Sequence, residues 1–298
     1  MNKSEITLRN IFNYISSEHP ALLEQKPRHI NSAEHEFDKT LESLLYFVAH
    51  NFALELAPKV INQYRKAISK IVAEKFNWTV SFGPLNGLVL ARDSSWNIGD
   101  FGSMIIGTYE IEVLEVIISL SKKYKIFIDI GAADGFYGVG LIRSGYFEKS
   151  ICFEISEKGQ ASIKQLAKMN GCLEKIQIFG EANAQSLTEL SRDEHLEALV
   201  LIDIEGVEFE LLSEEVLKLL RRCSIIVEIH DFSVHEGNRK YIDLTNRVTQ
   251  FFDVTTVTTT SRDLSNFPEF EDFSDHARWL LVSEGRGKRM TWLVMSPK

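Results

Sequence analysis

The chain has 298 residues, with 33 Lys and Arg against 42 Asp and Glu, for a formal net charge of −9. At 44% hydrophobic and 25% charged residues it has the composition of a folded globular protein, which excludes disorder of the whole chain. The acidic balance argues against a broad phosphate-binding face, so no nucleic acid is expected as a partner.

The stretch Met1 to Arg9 is polar and no apolar signal region follows it. No run reaches the roughly 18 apolar residues of a membrane helix. The cysteines Cys152, Cys172 and Cys223 form no CxxC pair, which excludes a zinc ribbon. Cys152 and Cys223 lie in apolar runs and are expected to be buried. A cytoplasmic protein without a membrane span is therefore expected.

Along the chain, Phe37, Leu41, Leu44, Leu45, Val48 and Phe52 fall at helical spacing, with Ser32 as N-cap. Pro58 opens a second helix with Val60, Ile61, Tyr64, Ile68, Ile71 and Val72 on one face. Trp78, Val80 and Phe82, then Leu88 and Leu90, alternate around an Asn86-Gly87 turn and predict a small hairpin. Arg92 to Gly107 reads as a loop and Tyr109 to about Lys122 as a helix. Residues 1–107 are expected to form a helical accessory or cap region with that hairpin. Such a region serves as packing, as a substrate lid or as a surface for homo-oligomers.

From Lys125 short apolar runs alternate with helical patterns. The runs are Ile126–Ile130, Ile151–Ile155, Ile176–Phe179, Leu199–Ile204 and Ile225–Ile229. Glu157–Asn170, Val207–Arg221 and Asn238–Phe251 are helical. This alternation predicts a doubly wound α/β sheet over residues 108–298. Val254–Thr260 and Thr291–Met295 are two further β-rich runs.

The ends of the predicted strands carry the chemistry. Asp129-Ile130-Gly131-Ala132-Ala133-Asp134-Gly135 is an acid, a glycine turn and a helix start. A dinucleotide fingerprint would need glycine where Ala133 stands, and no Walker Lys follows. Carboxylates at Asp129 and Asp134 repel a pyrophosphate and suit a cationic ligand, as S-adenosylmethionine is. Glu154 ends the second run, where an acid accepts hydrogen bonds from ribose hydroxyls. Glu181 ends the third, where it meets an exocyclic amine. Asp203, Glu205, Glu228, His230 and Asp231 gather at the ends of the fourth and fifth.

Together these residues resemble the class I S-adenosylmethionine-dependent methyltransferases, and within them the FkbM family. The resemblance rests on Gly107-Thr108-Tyr109-Glu110, the Asp129–Gly135 turn, Asp203-Ile204-Glu205-Gly206-Val207-Glu208 and Glu228-Ile229-His230. It covers about Gly107 to Pro297. The turn departs at Ala133-Asp134, where many relatives carry Asn and an aliphatic residue.

The resemblance implies a Rossmann-like seven-stranded sheet with the last two strands as an antiparallel edge. It implies O-methylation of a sugar or natural-product hydroxyl, a small-molecule or saccharide acceptor. The cofactor contacts expected are Glu110, Asp129, Gly131, Ala132, Asp134, Tyr137, Glu154, Ile155, Glu181, Ala182 and Asp203. His230 is the expected base, with Asp203 and Asp231 as further catalytic residues. Two alternatives stand beside this reading. One is Mg²⁺ held by Asp203, Glu205, Glu228 or Asp231. The other is a catalytically silent interaction module.

Overall fold

Five apolar runs between residues 126 and 229 become parallel strands; four of them are buried on both faces, where continuous hydrophobicity satisfies both, and Ile176–Phe179 lies at the edge with Gln177 and Phe179 exposed. The structure is a computed structural model that describes residues 61–92, 98–191, 196–265 and 267–298. The chain divides into two compact units, Met1–Gln63 and Tyr64–Lys298. Of the first unit only residues 61–63 are described. The helix expected over Phe37–Phe52, its Ser32 cap and the start at Pro58 lie outside the described residues.

The second unit carries a seven-stranded sheet in the order β3-β2-β1-β4-β5-β7-β6. The strands are β1 (Ile126–Ile130), β2 (Lys149–Phe153), β3 (Ile176–Phe179), β4 (Leu199–Ile202), β5 (Ser224–Glu228), β6 (Phe252–Thr258) and β7 (Thr291–Pro297). The first five are parallel, and β7 pairs antiparallel with both β5 and β6. This is the Rossmann-like α/β fold expected, with an antiparallel edge made by the last two strands.

Side chains alternate between two packed layers, as the pleat requires. Phe127, Leu199, Leu201, Ile226, Trp292 and Val294 join one core. Ile128, Ile130, Val200, Ile202, Val227 and Leu293 join the other. Ile68, Val72, Val80, Leu88, Phe101, Met104 and Ile105 belong to the first core. Residues 64–107 therefore pack in the same compact unit as the sheet.

Several local expectations change. The helix over residues 61–75 buries Ile68 and Val72 together with Arg65 and Ser69, whereas Tyr64 and Ile71 are exposed. The buried stripe is thus partly polar, because Arg65 pairs with the buried Asp100 at 2.5 Å. The hairpin shrinks to one antiparallel bridge, Thr79↔Val89. The segment expected as a loop contains a 3₁₀ turn, Ile98–Asp100, and a short helix, Phe101–Ile105, whose apolar side chains are buried. The single helix expected over Val207–Arg221 is two, Glu208–Leu211 and Glu214–Leu219, because the Ser213 hydroxyl accepts from the Val216 amide and starts a new helix. The three cysteines are free and buried. Among the described residues no helix is long and apolar enough to cross a membrane.

Candidate functional site

The register levels the strand ends: Ile130 lies beside Ile202, and Ile202 beside Val227. The turns that follow β1, β4 and β5 therefore meet in one place. Ligands of open α/β sheets bind at these carboxyl ends.

The turn after β1 depends on Gly131. Its φ is +88°, and a Cβ there would lie 1.8 Å from the Asp203 carbonyl oxygen. Asp129 is buried and its Oδ2 accepts the Gly138 amide at 2.9 Å, one of the unpaired donors that open the helix Phe136–Arg143. Burial pushes its carboxyl up to about 7. Ala133 holds a left-handed φ of 48°, and its amide donates to Glu154 Oε2 at 2.9 Å. The other Glu154 oxygen accepts the Ser156 amide at 2.8 Å.

These residues line a groove of about 390 Å³. Its walls carry Asp129, Asp134, Glu154, Glu181, Asp203 and Glu205 and, among the described residues, no Lys, Arg or His. Gly131, Ala132, Tyr137, Ile155 and Ala182 line it as well. Ile155 is 79% exposed, at the rim.

A second cavity of about 410 Å³ adjoins the first and shares Tyr109, Asp203 and Glu205 with it. Glu110, Glu228, His230, Glu284 and Arg286 line this one. Glu205 leaves the strand direction at a φ of 54°, because β4 ends at Ile202, so Asp203 and Glu205 do not share a strand face.

His230 is buried, and four carboxylates surround its ring. Nε2 lies 3.6 Å from Asp203, 3.4 Å from Glu205 and 3.8 Å from Glu228, and Nδ1 lies 3.5 Å from Glu208. Burial alone would lower the imidazole's pKa, but Glu208, Asp203 and Glu205 outweigh it and raise it above 6.5. Glu208 is itself buried, and it accepts the Gly206 amide at 2.7 Å and the His230 amide at 2.8 Å. Burial alone would raise its carboxyl, but the His230 imidazole and amide outweigh it and hold the carboxyl below the usual range.

Burial, then Asp203 and Glu110, pushes the Glu228 carboxyl up to about 10. Burial likewise raises Asp203, and its Oδ1 is buried with no hydrogen-bond partner among the described residues. Asp203, Glu228 and His230 offer ligand atoms within 4.8 Å of one another, the spacing of a metal-binding group. Asp231 stands apart: it pairs with Lys288 at 2.7 Å and lines neither cavity.

Glu110 is buried beside this cluster, at a left-handed φ of 43°. The Tyr137 hydroxyl donates to one of its oxygens and the Arg286 guanidinium to the other. Burial pushes it up to about 7, against the pull of Arg286. Arg286 also reaches Glu228 at 2.6 Å and Glu284 at 2.7 Å. It arrives on the segment that precedes β7, whose first residues lie beside the end of β5, with Trp292 opposite Glu228. Sequence reasoning missed Arg286, because nothing in Gly285-Arg286-Gly287-Lys288 gives its distance from Glu110.

No protein-family model matches the chain, and no curated protein matches it. Solved structures do. The O-methyltransferase of Bacillus cereus in complex with S-adenosylhomocysteine is 12% identical, with a TM-score of 0.43, covering 84% of this chain and 96% of that one. The tRNA methyltransferase TrmK of B. subtilis is 12% identical, with a TM-score of 0.41, over 62% of this chain and 65% of that one. A protein of the NADB-Rossmann superfamily from Streptococcus agalactiae is 16% identical, with a TM-score of 0.40, over 62% and 67%.

Proposed function

We propose that the chain is an S-adenosylmethionine-dependent methyltransferase that methylates a hydroxyl of a sugar or natural product. One observation carries the reading: a groove at the strand ends with six carboxylates and, among the described residues, no Lys, Arg or His. A dinucleotide or nucleoside triphosphate brings phosphates, which this lining repels. A nucleoside with a sulfonium and an ammonium fits it. The Asp203-x-Glu205-Gly206-x-Glu208 run supports the FkbM-like form of the reading.

In this assignment Glu154 faces the ribose, Glu181 and Ala182 the adenine edge, and Asp203 and Glu110 the amino-acid end. Both Glu154 oxygens already accept one backbone amide. A carboxylate has about four acceptor sites, so room for hydroxyl donors remains. The bound cofactor supplies a sulfonium methyl. The second cavity takes the acceptor, and Tyr109, Asp203 and Glu205 form the boundary that transfer crosses. Holding the acceptor oxygen in line supplies much of the acceleration. The oxygen must also lose a proton, and His230 Nε2 is the candidate base. The carboxylates around it hold its own proton more tightly, so this base works on the alkaline side of 6.5.

The Asp203–Glu228–His230 grouping favours a second reading, a divalent ion at the acceptor end. Two carboxylates and an imidazole suit Mn²⁺, Fe²⁺ or Zn²⁺ better than Mg²⁺, which prefers oxygen ligands alone. These three residues would hold the ion, which would act as a Lewis acid on the acceptor oxygen.

Calorimetry with S-adenosylhomocysteine, followed by methyl transfer to a panel of saccharides and phenols, tests the function. Binding with turnover supports the enzyme. Binding without turnover supports the silent module, and absence of binding removes the cofactor reading.

A further inference from the structure

We propose that Arg286 is an internal cation on Glu110, beside the groove, and that a ligand bearing an ammonium group displaces it there. The proposal rests on the cofactor reading above.

Glu110 lines the second cavity, and its two carboxylate oxygens have different partners. Tyr137, which holds one carboxylate oxygen, lines the cofactor groove, and Arg286, which holds the other, lines the acceptor cavity. Glu110 opens the helix Ile111–Ser121 from a left-handed backbone, yet its side chain makes no capping bond there. Its carboxylate is spent on the cavity side, in a conformation that disfavours residues with a Cβ. A buried carboxylate of this kind needs a cation. Arg286 is that cation in this structure.

The occupant can leave without being stranded. Arg286 keeps Glu228 at 2.6 Å and Glu284 at 2.7 Å when it gives up Glu110. An incoming ammonium replaces the guanidinium at the same carboxylate, so charge pairing at Glu110 is conserved. The backbone offers a pivot. Gly285 has a φ of +67° and sits against the Arg65 guanidinium, which a Cβ there would meet at 2.8 Å, closer than contact allows. On the other side of Arg286, a Cβ on Gly287 would meet nothing within 4 Å among the described residues. One flank is fixed and the next is free.

Such an occupant weakens apparent affinity in proportion to the time it spends in place. The test uses the full chain, Arg286→Met and two ligands: S-adenosylhomocysteine, and methylthioadenosine, which lacks the amino-acid end. Arg286→Met should tighten S-adenosylhomocysteine binding by roughly tenfold if the occupied arrangement holds nine-tenths of the molecules, and leave methylthioadenosine unchanged. Unchanged or weaker S-adenosylhomocysteine binding, with methylthioadenosine unaffected, overturns the proposal and makes Arg286 a fixed clamp. If the wild type binds neither ligand, it is the cofactor reading that fails. If the variant loses both ligands together, hydrogen exchange on the wild type decides. Faster exchange over residues 283–290 with S-adenosylhomocysteine but not with methylthioadenosine supports displacement. Unchanged or slower exchange overturns it.

Discussion

Glu208 and His230 are joined through the backbone as well as the side chain. The His230 amide donates to Glu208 Oε1 at 2.8 Å, and the imidazole Nδ1 lies 3.5 Å from the same oxygen. The other oxygen of Glu208 accepts the Gly206 amide at 2.7 Å. One buried carboxylate thus fixes the ends of β4 and β5 against each other. Glu208→Gln presents an N–H to one of those two amides. It should lower stability by about 1.5–3 kcal/mol, the range for hydrogen bonds to a charged group. Urea unfolding measures this, and a midpoint equal to that of the wild type would remove the clamp.

Glu154 couples cofactor affinity to the turn after β1, because its carboxylate anchors the Ala133 and Ser156 amides. Glu154→Ala should weaken S-adenosylhomocysteine binding by about 1–3 kcal/mol. Glu154→Gln should fall between, since it keeps one acceptor. Calorimetry separates the three proteins, and equal affinities would take Glu154 out of the site.

The catalytic assignment divides on two experiments. As a base, His230 should give a rate that rises with pH through a midpoint above 6.5, because its surroundings raise its pKa. His230→Ala should then lose about 10²–10⁴-fold in turnover and lose that acidic limb. If turnover instead collapses with EDTA, returns with Mn²⁺ or Zn²⁺, and is lost in Asp203→Asn, the ion reading replaces the base.

Stability should fall in acid partly through Glu112. Burial alone would raise its carboxyl, but Arg262 and Thr260 lower it below the ordinary value. Arg262 Nη1 donates to one oxygen at 2.6 Å and Nη2 to the other at 2.8 Å. A depressed pKa means that the unfolded state takes up its proton first. The contribution is therefore complete above the unfolded value of about 4.3 and is lost as pH falls through the lower folded value. Glu112→Gln should be less stable at neutral pH and show a flatter acid slope in thermal melts. An unchanged acid slope would remove this group from the linkage.

The sheet was legible because strands buried on both sides must be apolar throughout, and Ile126–Ile130 falls where its run places it; the edge strand Ile176–Phe179 does so too, although Gln177 and Phe179 are exposed. The acids at the strand ends were legible for the same reason, since a carboxylate after such a run lacks a packing role. Glu208 stood in the quoted motif, but its capping of two amides depends on the β4–β5 register, which spacing does not give. Arg286 lies 176 positions from Glu110, and only the antiparallel return of β7 brings them together. Asp231 was expected beside His230, but one residue further along an irregular backbone turns it to Lys288.

The placement of β7 between β5 and β6 also constrains the order of assembly. β6 precedes β7 in the chain yet, among the described residues, pairs with no strand but β7. It therefore has no template on the parallel part of the sheet and must wait for the later strand. The same delay applies to the site, because the guanidinium that balances Glu110 and Glu228 travels on the approach to β7. A nascent chain with β1 to β5 already paired brings Glu110, Asp203 and Glu228 together before their counter-ion arrives. Closing this edge is a long-range step with a loop-closure cost.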